Sequence, residues 1–167
     1  MSVKIIDNFL PKEEFNKLQN IIIGNNFDWY YNPSIDYEDK LNINFQFIHF
    51  FYNNNWRGSN FNLIEPILNI IKPFSLVRIK ANLLTKTNDI IVNEFHKDFK
   101  NINNLTTGIF YINNCNGYTL FKDDTKVESI ANRFVSFDSQ LEHTGTSCTD
   151  ENTRVVINFN YFKQISK

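Results

Sequence analysis

Cysteine is scarce in this chain, with two, Cys115 and Cys148, among 167 residues. No Cys-x-x-Cys spacing occurs and nothing requires the two to pair, so they read as free thiols of a reducing compartment. No Cys/His context marks a catalytic thiol. Charge of either sign is also lacking in excess: 18 acidic side chains meet 17 basic ones. Without a strongly basic field, duplex binding through phosphate neutralisation is disfavoured, and nucleic acid is an unlikely partner. Long apolar runs are missing, so no segment approaches the roughly 18 residues that mark a membrane span. The start, Met1-Ser2-Val3-Lys4-Ile5-Ile6-Asp7, lacks the apolar stretch of a signal peptide. The expectation is a soluble, cytoplasmic protein. Histidine is rare too: the three, His49, His96 and His143, are evenly spaced, but their flanks do not match, so no repeat is present.

Aromatic residues are abundant, with 17 Phe and 7 Tyr, and strands favour them. Length suits one domain over 1–167, with 1–75 as N-terminal support and 76–167 as the catalytic half. A strand is expected over 3–6. Pro11 then opens a helix in its first turn, where Glu13 and Glu14 suit the macrodipole. Phe15, Leu18 and Ile22 form its buried stripe, and Gly24 ends it. Residues 25–44 look irregular, 45–52 reads as a strand, and 53–60 as a turn cluster. A second helix starts near Pro66 and stops before Pro73. Strands follow over 76–84, 90–95, 107–112, 118–121, 127–130, 133–137 and 153–162, with 113–117 as a hairpin loop. The fold class expected is mainly β with N-terminal helices, a double-stranded β-helix or jelly roll.

His96-Lys97-Asp98 follows a strand, and residues two apart on extended chain point to one side. An imidazole and a carboxylate then reach one ion together, and His143 supplies the third ligand. Two His and one carboxylate on one face leave three coordination positions open, the arrangement of non-haem Fe(II) oxygen chemistry. Arg154, eleven residues after His143, suits the distal carboxylate of 2-oxoglutarate through bidentate pairing. On the last strand Arg154, Val156, Asn158 and Asn160 share one face, and Val155, Ile157, Phe159 and Tyr161 the other. The apolar face is expected against the helices and the polar face inside the roll. Unpaired buried polar groups are costly, so a polar interior reads as a site. Strand 76–84 repeats the alternation with Arg78, Lys80 and Asn82.

From about residue 76 onward the sequence resembles the catalytic half of 2-oxoglutarate/Fe(II) oxygenases, prolyl-4-hydroxylase-like branch. The resemblance rests on Glu-Phe-His-Lys-Asp-Phe, Thr-Gly-Ile-Phe-Tyr-Ile-Asn, Asn-Gly-Tyr-Thr-Leu-Phe, Asn-Arg-Phe-Val-Ser-Phe, Glu-His-Thr-Gly and the Arg154 strand, in that order. The opening Ile-Asp-Asn-Phe-Leu-Pro resembles the family's lead-in, and the overall style resembles small phage-encoded members. The resemblance implies Fe(II) held by His96, Asp98 and His143, 2-oxoglutarate anchored by Arg154, and O2 as oxidant. It also implies a cosubstrate pocket with Tyr111, Thr119 and Asn82, and substrate-facing positions at Asn158 and Asn160. Two positions depart from the pattern: Asn116-Gly117 stands for the usual Gly-Gly, and Leu84 for a common Tyr.

The activity implied is hydroxylation of a small-molecule or peptide substrate, prolyl hydroxylation included, with release of succinate and CO2. The alternatives are a non-catalytic jelly-roll binding module, or a cupin-like metal protein that needs no cosubstrate. Specificity is expected in 25–44, 53–60 and 85–89, where loops carry function without a readable code. His49, among Phe45, Phe47, Phe50 and Phe51, reads as a partly buried structural histidine.

Overall fold

The computed structural model describes residues 3–35 and 44–164. The chain begins with β1 (Lys4–Ile6), α1 (Lys12–Ile23), β2 (Tyr30–Asn32), β3 (Gln46–Asn53) and β4 (Trp56–Arg57). A 3-10 turn (Phe61–Ile64) leads into α2 (Glu65–Ile71). Strands then dominate: β5 (Ser75–Thr85), β6 (Leu105–Tyr111), β7 (Cys115–Phe121), β8 (Lys126–Ser129), β9 (Phe134–Asp138), β10 (His143–Gly145) and β11 (Thr153–Phe162).

The strands form two antiparallel sheets. The major sheet runs β1-β9-β6-β11-β5-β3-β2, with β4 beside β3, and the minor sheet runs β10-β7-β8. β5 and β11 pair along almost their whole length and make the spine. Period-2 alternation on these two strands separates two environments. Outward, Val155, Ile157, Phe159 and Tyr161 of β11 join Ile79 and Ala81 of β5 against Phe15, Leu18 and Ile22 of α1 and Ile67 of α2. Between the sheets, Ile109, Tyr111, Phe121, Val127, Val135, Phe137 and Val156 form a second, smaller core. That core fills one part of the roll, and the polar inner faces of β5 and β11 line a cavity in another. Among the described residues no helix is long and apolar enough to cross a membrane.

Four details differ from the sequence reading. Pro11 is the residue before α1, extended at φ −51° and ψ 139°, and not part of the first turn; its missing N–H costs nothing there. β2 forms inside the segment read as irregular, because Tyr30–Asn32 adds to the edge of β3. Residues 36–43 of that same segment lie outside the described residues. The hairpin loop 113–117 is shorter than expected, since β7 already starts at Cys115, opposite Ser129. Asn114 shortens it by accepting the backbone N–H of Ala131 (2.8 Å).

The fourth difference is 90–95, which forms no strand. Only isolated bridges join Val92 to Thr146 and His96 to His143. Between them, side chains add to the backbone bonds from Asn93 N–H to Gly145 (3.3 Å) and from Ser147 N–H to Ile91 (3.0 Å): Ser147 Oγ accepts the Ile91 N–H (2.8 Å) and Asn93 Nδ2 donates to the Gly145 carbonyl (2.8 Å). Side-chain bonds of this kind compete with regular pairing. They still hold the segment beside β10, which is what brings His96 to His143.

Candidate metal and anion site

His96 and His143 face each other as a backbone pair, each donating its N–H to the other's carbonyl at 3.0 Å. Their rings lie 4.9 Å apart between centroids. Each ring is turned by its own loop, with His143 Nδ1 2.9 Å from the Leu141 carbonyl and His96 Nδ1 3.3 Å from that of Glu94. Donation through Nδ1 fixes the tautomer with its lone pair on Nε2, the usual second contact of a metal-binding imidazole. Phe137 packs edge-on to the His143 ring at 4.7 Å. Asp98 lies just beyond His96, and one ligand atom from each of His96, Asp98 and His143 falls within 4.8 Å of the others.

The Asp98 carboxylate is nearly buried, at 4% side-chain exposure. Thr107 Oγ1 (2.7 Å) and Asn160 Nδ2 (2.9 Å) donate to Oδ2, and Arg78 Nη2 (3.1 Å) donates to Oδ1. Arg78 Nε also donates to Asn160 Oδ1 (3.1 Å), closing the cluster. Burial alone would raise the pKa of Asp98, but the charge of His143 when protonated, the charge of Arg78 and the Thr107 hydrogen bond outweigh it and hold the carboxyl well below the usual range. Three donors meet the roughly four lone-pair sites of an ionised carboxylate, leaving one for an ion. Two imidazole nitrogens and one carboxylate therefore fit Fe(II) or a similar divalent ion.

The Arg154 guanidinium stands at the other end of the cavity and is 4% exposed. Its Nε donates to Ser129 Oγ (2.8 Å) and its Nη2 to Thr119 Oγ1 (3.3 Å), both neutral groups. Among the described residues no carboxylate pairs with it. Burial presses its pKa down from the ordinary arginine value. Glycines make room for it: a Cβ on Gly117 would sit 2.6 Å from Arg154 Cδ, and one on Gly145 would sit 3.2 Å from Nη1. Gly145 is paired with Thr119 across β10 and β7.

The structure brings His96, Asp98, His143, Arg154, Thr119, Asn82 and Asn158 to the wall of one cavity of about 110 Å³. Tyr111 is fully buried one layer behind it. Its hydroxyl donates to Thr119 Oγ1 (2.7 Å), so it reaches the cavity only through that residue. Asn160, expected to face substrate, is instead committed to Asp98, Thr107 and Arg78. The physical reason is the buried carboxylate, which takes the nearest donors available.

Sequence reasoning missed Thr107 and Ser129, and it left Arg78 without a role. The signal for Arg78 was its alternation with Lys80 and Asn82. Thr107 shares its strand face with Tyr111, but nothing in the sequence marks its partner. His49 is buried among Phe27, Tyr30 and Phe51, its Nδ1 on the Asp28 carbonyl (2.8 Å), away from the cavity. Cys115 and Cys148 are unbridged, and Cys148 Sγ donates to the Glu151 carbonyl (3.3 Å).

No protein-family model and no curated protein matches the sequence. Solved structures do. A prolyl hydroxylase from Trichoplax adhaerens, in complex with a hypoxia inducible factor peptide fragment, superposes with a TM-score of 0.70 at 13% identity, over 96% of this chain and 83% of that one. A viral collagen prolyl hydroxylase from Paramecium Bursaria Chlorella virus-1, in complex with 2-oxoglutarate, gives 0.58 at 14% identity, over 98% and 97%. HygX from Streptomyces hygroscopicus, with nickel, 2-oxoglutarate and hygromycin B bound, gives 0.60 at 9% identity, over 98% and 83%. The fold is that of the 2-oxoglutarate/Fe(II) oxygenases, and it extends over nearly the whole chain.

Proposed function

We propose that this chain is an Fe(II)- and 2-oxoglutarate-dependent oxygenase that hydroxylates a substrate at carbon, with His96, Asp98 and His143 as metal ligands and Arg154 as the cosubstrate anchor. The observation that carries this reading is the spacing between two halves of one cavity. His143 and Gly145 are two residues apart on β10, or roughly 7 Å along a strand. Gly145 lies against Arg154, so a cation without a carboxylate partner stands one such step from the candidate metal ligands. A five-carbon diacid is about that long. It would be gripped at its far carboxylate while its near end meets the metal.

The protein groups divide the work. Arg154 offers a fork that matches a carboxylate. Thr119 accepts from both Tyr111 and Arg154, which leaves its own proton to point at the ligand. Leu84, Ile109 and Val156 line the cavity wall and keep water away from the reacting atoms. Thr107, Asn160 and Arg78 hold the Asp98 carboxylate in one orientation, the role of outer-shell partners at metal sites. Iron and 2-oxoglutarate, when bound, supply the oxidation: 2-oxoglutarate and O2 become succinate and CO2 as a substrate C–H becomes C–OH. The neighbours bind a peptide in one case and hygromycin B in another. Prolyl or other peptide hydroxylation and the hydroxylation of a small molecule such as an amino acid are both within this reading.

The test is an anaerobic titration of Fe(II)-loaded protein with 2-oxoglutarate, watching the visible metal-to-ligand charge-transfer band. The band is expected in the native protein, absent in His96→Ala, and shifted to much higher cosubstrate concentration in Arg154→Ala. Iron that binds without response to 2-oxoglutarate would favour the cupin-like alternative. Iron that fails to bind would leave a jelly-roll binding module.

A further inference from the structure

Cys115 and Cys148 take no part in the chemistry above, yet they stand on the two stretches that pack against Arg154. From the paired Gly145 and Thr119, β7 and the chain after β10 run on side by side. The Thr146 N–H donates to the Tyr118 carbonyl (3.1 Å), and a Cβ on Gly117 would sit 2.6 Å from the Ser147 carbonyl. Asn116 then stitches the ends together. Its Nδ2 donates to Thr149 Oγ1 (2.7 Å), its Oδ1 accepts the Thr149 N–H (2.9 Å), and its own N–H donates to the Asp150 carboxylate (3.0 Å). The same register sets Cys148 beside Asn116, next in sequence to Cys115.

Three observations bring the thiols themselves together. The register of β7 shifts between Cys115 and Tyr118, and an irregularity of this kind re-aims a side chain. Cys148 Sγ donates to the Glu151 carbonyl (3.3 Å), and Glu151 and Cys115 line one open surface cleft of about 500 Å³. Cys115 also acts on the titration of Cys148: burial pushes the Cys148 thiol up to about 11, and the charge of Cys115 adds to the rise. The two differ in access. Cys148 is buried and Cys115 is half-buried at the cleft. An accessible thiol poised next to a second one is the arrangement of a redox-sensing pair.

We propose that Cys115 and Cys148 form a dithiol that hydrogen peroxide closes into a disulfide, and that closure weakens the hold of Arg154 on its ligand. Cys115 Sγ attacks one peroxide oxygen and the O–O bond breaks. Cys115 becomes a sulfenic acid, and the other oxygen leaves with the thiol proton as water. Cys148 Sγ then attacks the Cys115 sulfur, the S–O bond breaks, and the hydroxyl leaves with the Cys148 proton as a second water. The two thiols have lost two electrons and two protons, and the peroxide has gained them. A disulfide holds its sulfurs about 2.0 Å apart, so closure draws the two stretches together. Neither has slack to give. A Cβ on Gly117 would meet Arg154 Cδ and the Ser147 carbonyl at 2.6 Å each, and Ser129, paired with Cys115, accepts from Arg154 Nε (2.8 Å). The effect on Arg154 rests on the oxygenase reading above; formation of the disulfide does not.

The experiment treats the full chain, reduced and free of metal, with hydrogen peroxide, removes the oxidant, and then loads Fe(II) without oxygen. Thiol titration and intact mass read the sulfurs, and calorimetry reads 2-oxoglutarate affinity. The expected product is a monomer that has lost both thiols and two hydrogens, with 2-oxoglutarate affinity at least fivefold weaker. Dithiothreitol should restore the thiols and the affinity together. Cys115→Ser should bind 2-oxoglutarate within twofold of the native reduced protein and keep that affinity after peroxide. In Cys148→Ala, peroxide should leave Cys115 as a sulfenic acid that dimedone traps. The proposal is overturned if both thiols survive the peroxide, or if they end in a disulfide-linked dimer or in irreversible acids. It is also overturned if the disulfide forms and affinity is unchanged, or if peroxide weakens Cys115→Ser as much as native. Reduced protein that binds no 2-oxoglutarate would overturn the oxygenase reading and the effect on Arg154 together, while the mass still decides the dithiol.

Discussion

Two arginines face the same cavity from opposite ends of the β5–β11 ladder and live under opposite conditions. Arg78 is 15% exposed in its side chain and pairs with Asp98 at 3.1 Å. Arg154 is 4% exposed and, among the described residues, its guanidinium donates to the hydroxyls of Ser129 and Thr119 and to no carboxylate. The chain answers the first charge itself, and in the function proposed above a ligand answers the second. A protein that needed Arg154 only for stability would gain by replacing it, since an unpaired buried cation is a net cost. The difference teaches how to tell a positioning cation from a binding one when both are nearly buried and both sit on strands.

The sharpest way to break this comparison is Asp98→Ala. It should abolish metal binding and also destabilise the metal-free protein by about 3–5 kcal/mol, because Arg78 loses its buried partner. Urea denaturation with equilibrium dialysis of the metal reads both effects. A metal-free protein of native stability would show that Arg78 is not held by that pair.

Arg154→Leu should do the reverse. The metal-free protein should be as stable as the native one or more so, while 2-oxoglutarate affinity falls by about 2–5 kcal/mol, the range for removing one partner of a desolvated charge pair. A stability loss with cosubstrate affinity intact would make Arg154 structural.

Gly117→Ala sharpens the Arg154 end alone. The new Cβ would meet Arg154 Cδ and the Ser147 carbonyl at 2.6 Å each, and overpacking of this kind costs about 1–3 kcal/mol. Cosubstrate binding should weaken while iron affinity, measured by the same dialysis, is preserved.

The smallest effect belongs to an ion pair outside the cavity. Arg133 Nε and Nη2 donate to the two carboxylate oxygens of Asp7 at 2.6 and 3.0 Å. This hydrogen bonding lowers the Asp7 pKa. A lowered folded-state pKa adds stability above the ordinary carboxylate range, and that stability fades as pH falls below about 4. Asp7 is 53% exposed, so solvent screening limits the pair to less than about 0.5 kcal/mol. Asp7→Asn should cost that little at pH 7 and less still at pH 3, as followed by thermal midpoints.

Legibility in the sequence followed the range of the interactions. Phe15, Leu18 and Ile22 repeat at helical spacing, and the face they announce is the one buried. β11 alternates cleanly, and both of its faces were readable before any fold was known. Where side chains from distant segments decide the backbone, local pattern failed. Residues 90–95 look like a strand, yet only isolated bridges form there, and the side chains of Ser147 and Asn93 take part in the pairing. Tyr30–Asn32 looks irregular and becomes a strand only because β3 offers an edge.

The sequence alone determined which residue types were available for the chemistry: His96 and Asp98 two apart, His143 further along the chain, and Arg154 on a polar strand face. It determined these because two-residue spacing and strand alternation are local properties of extended chain. Only the tertiary structure decided that Arg78 belongs to Asp98 and Arg154 does not, that Tyr111 works through Thr119, and that Asn160 is a clamp. Those assignments join residues far apart in the chain, and a hydrogen bond leaves no trace in the spacing of the residues that make it.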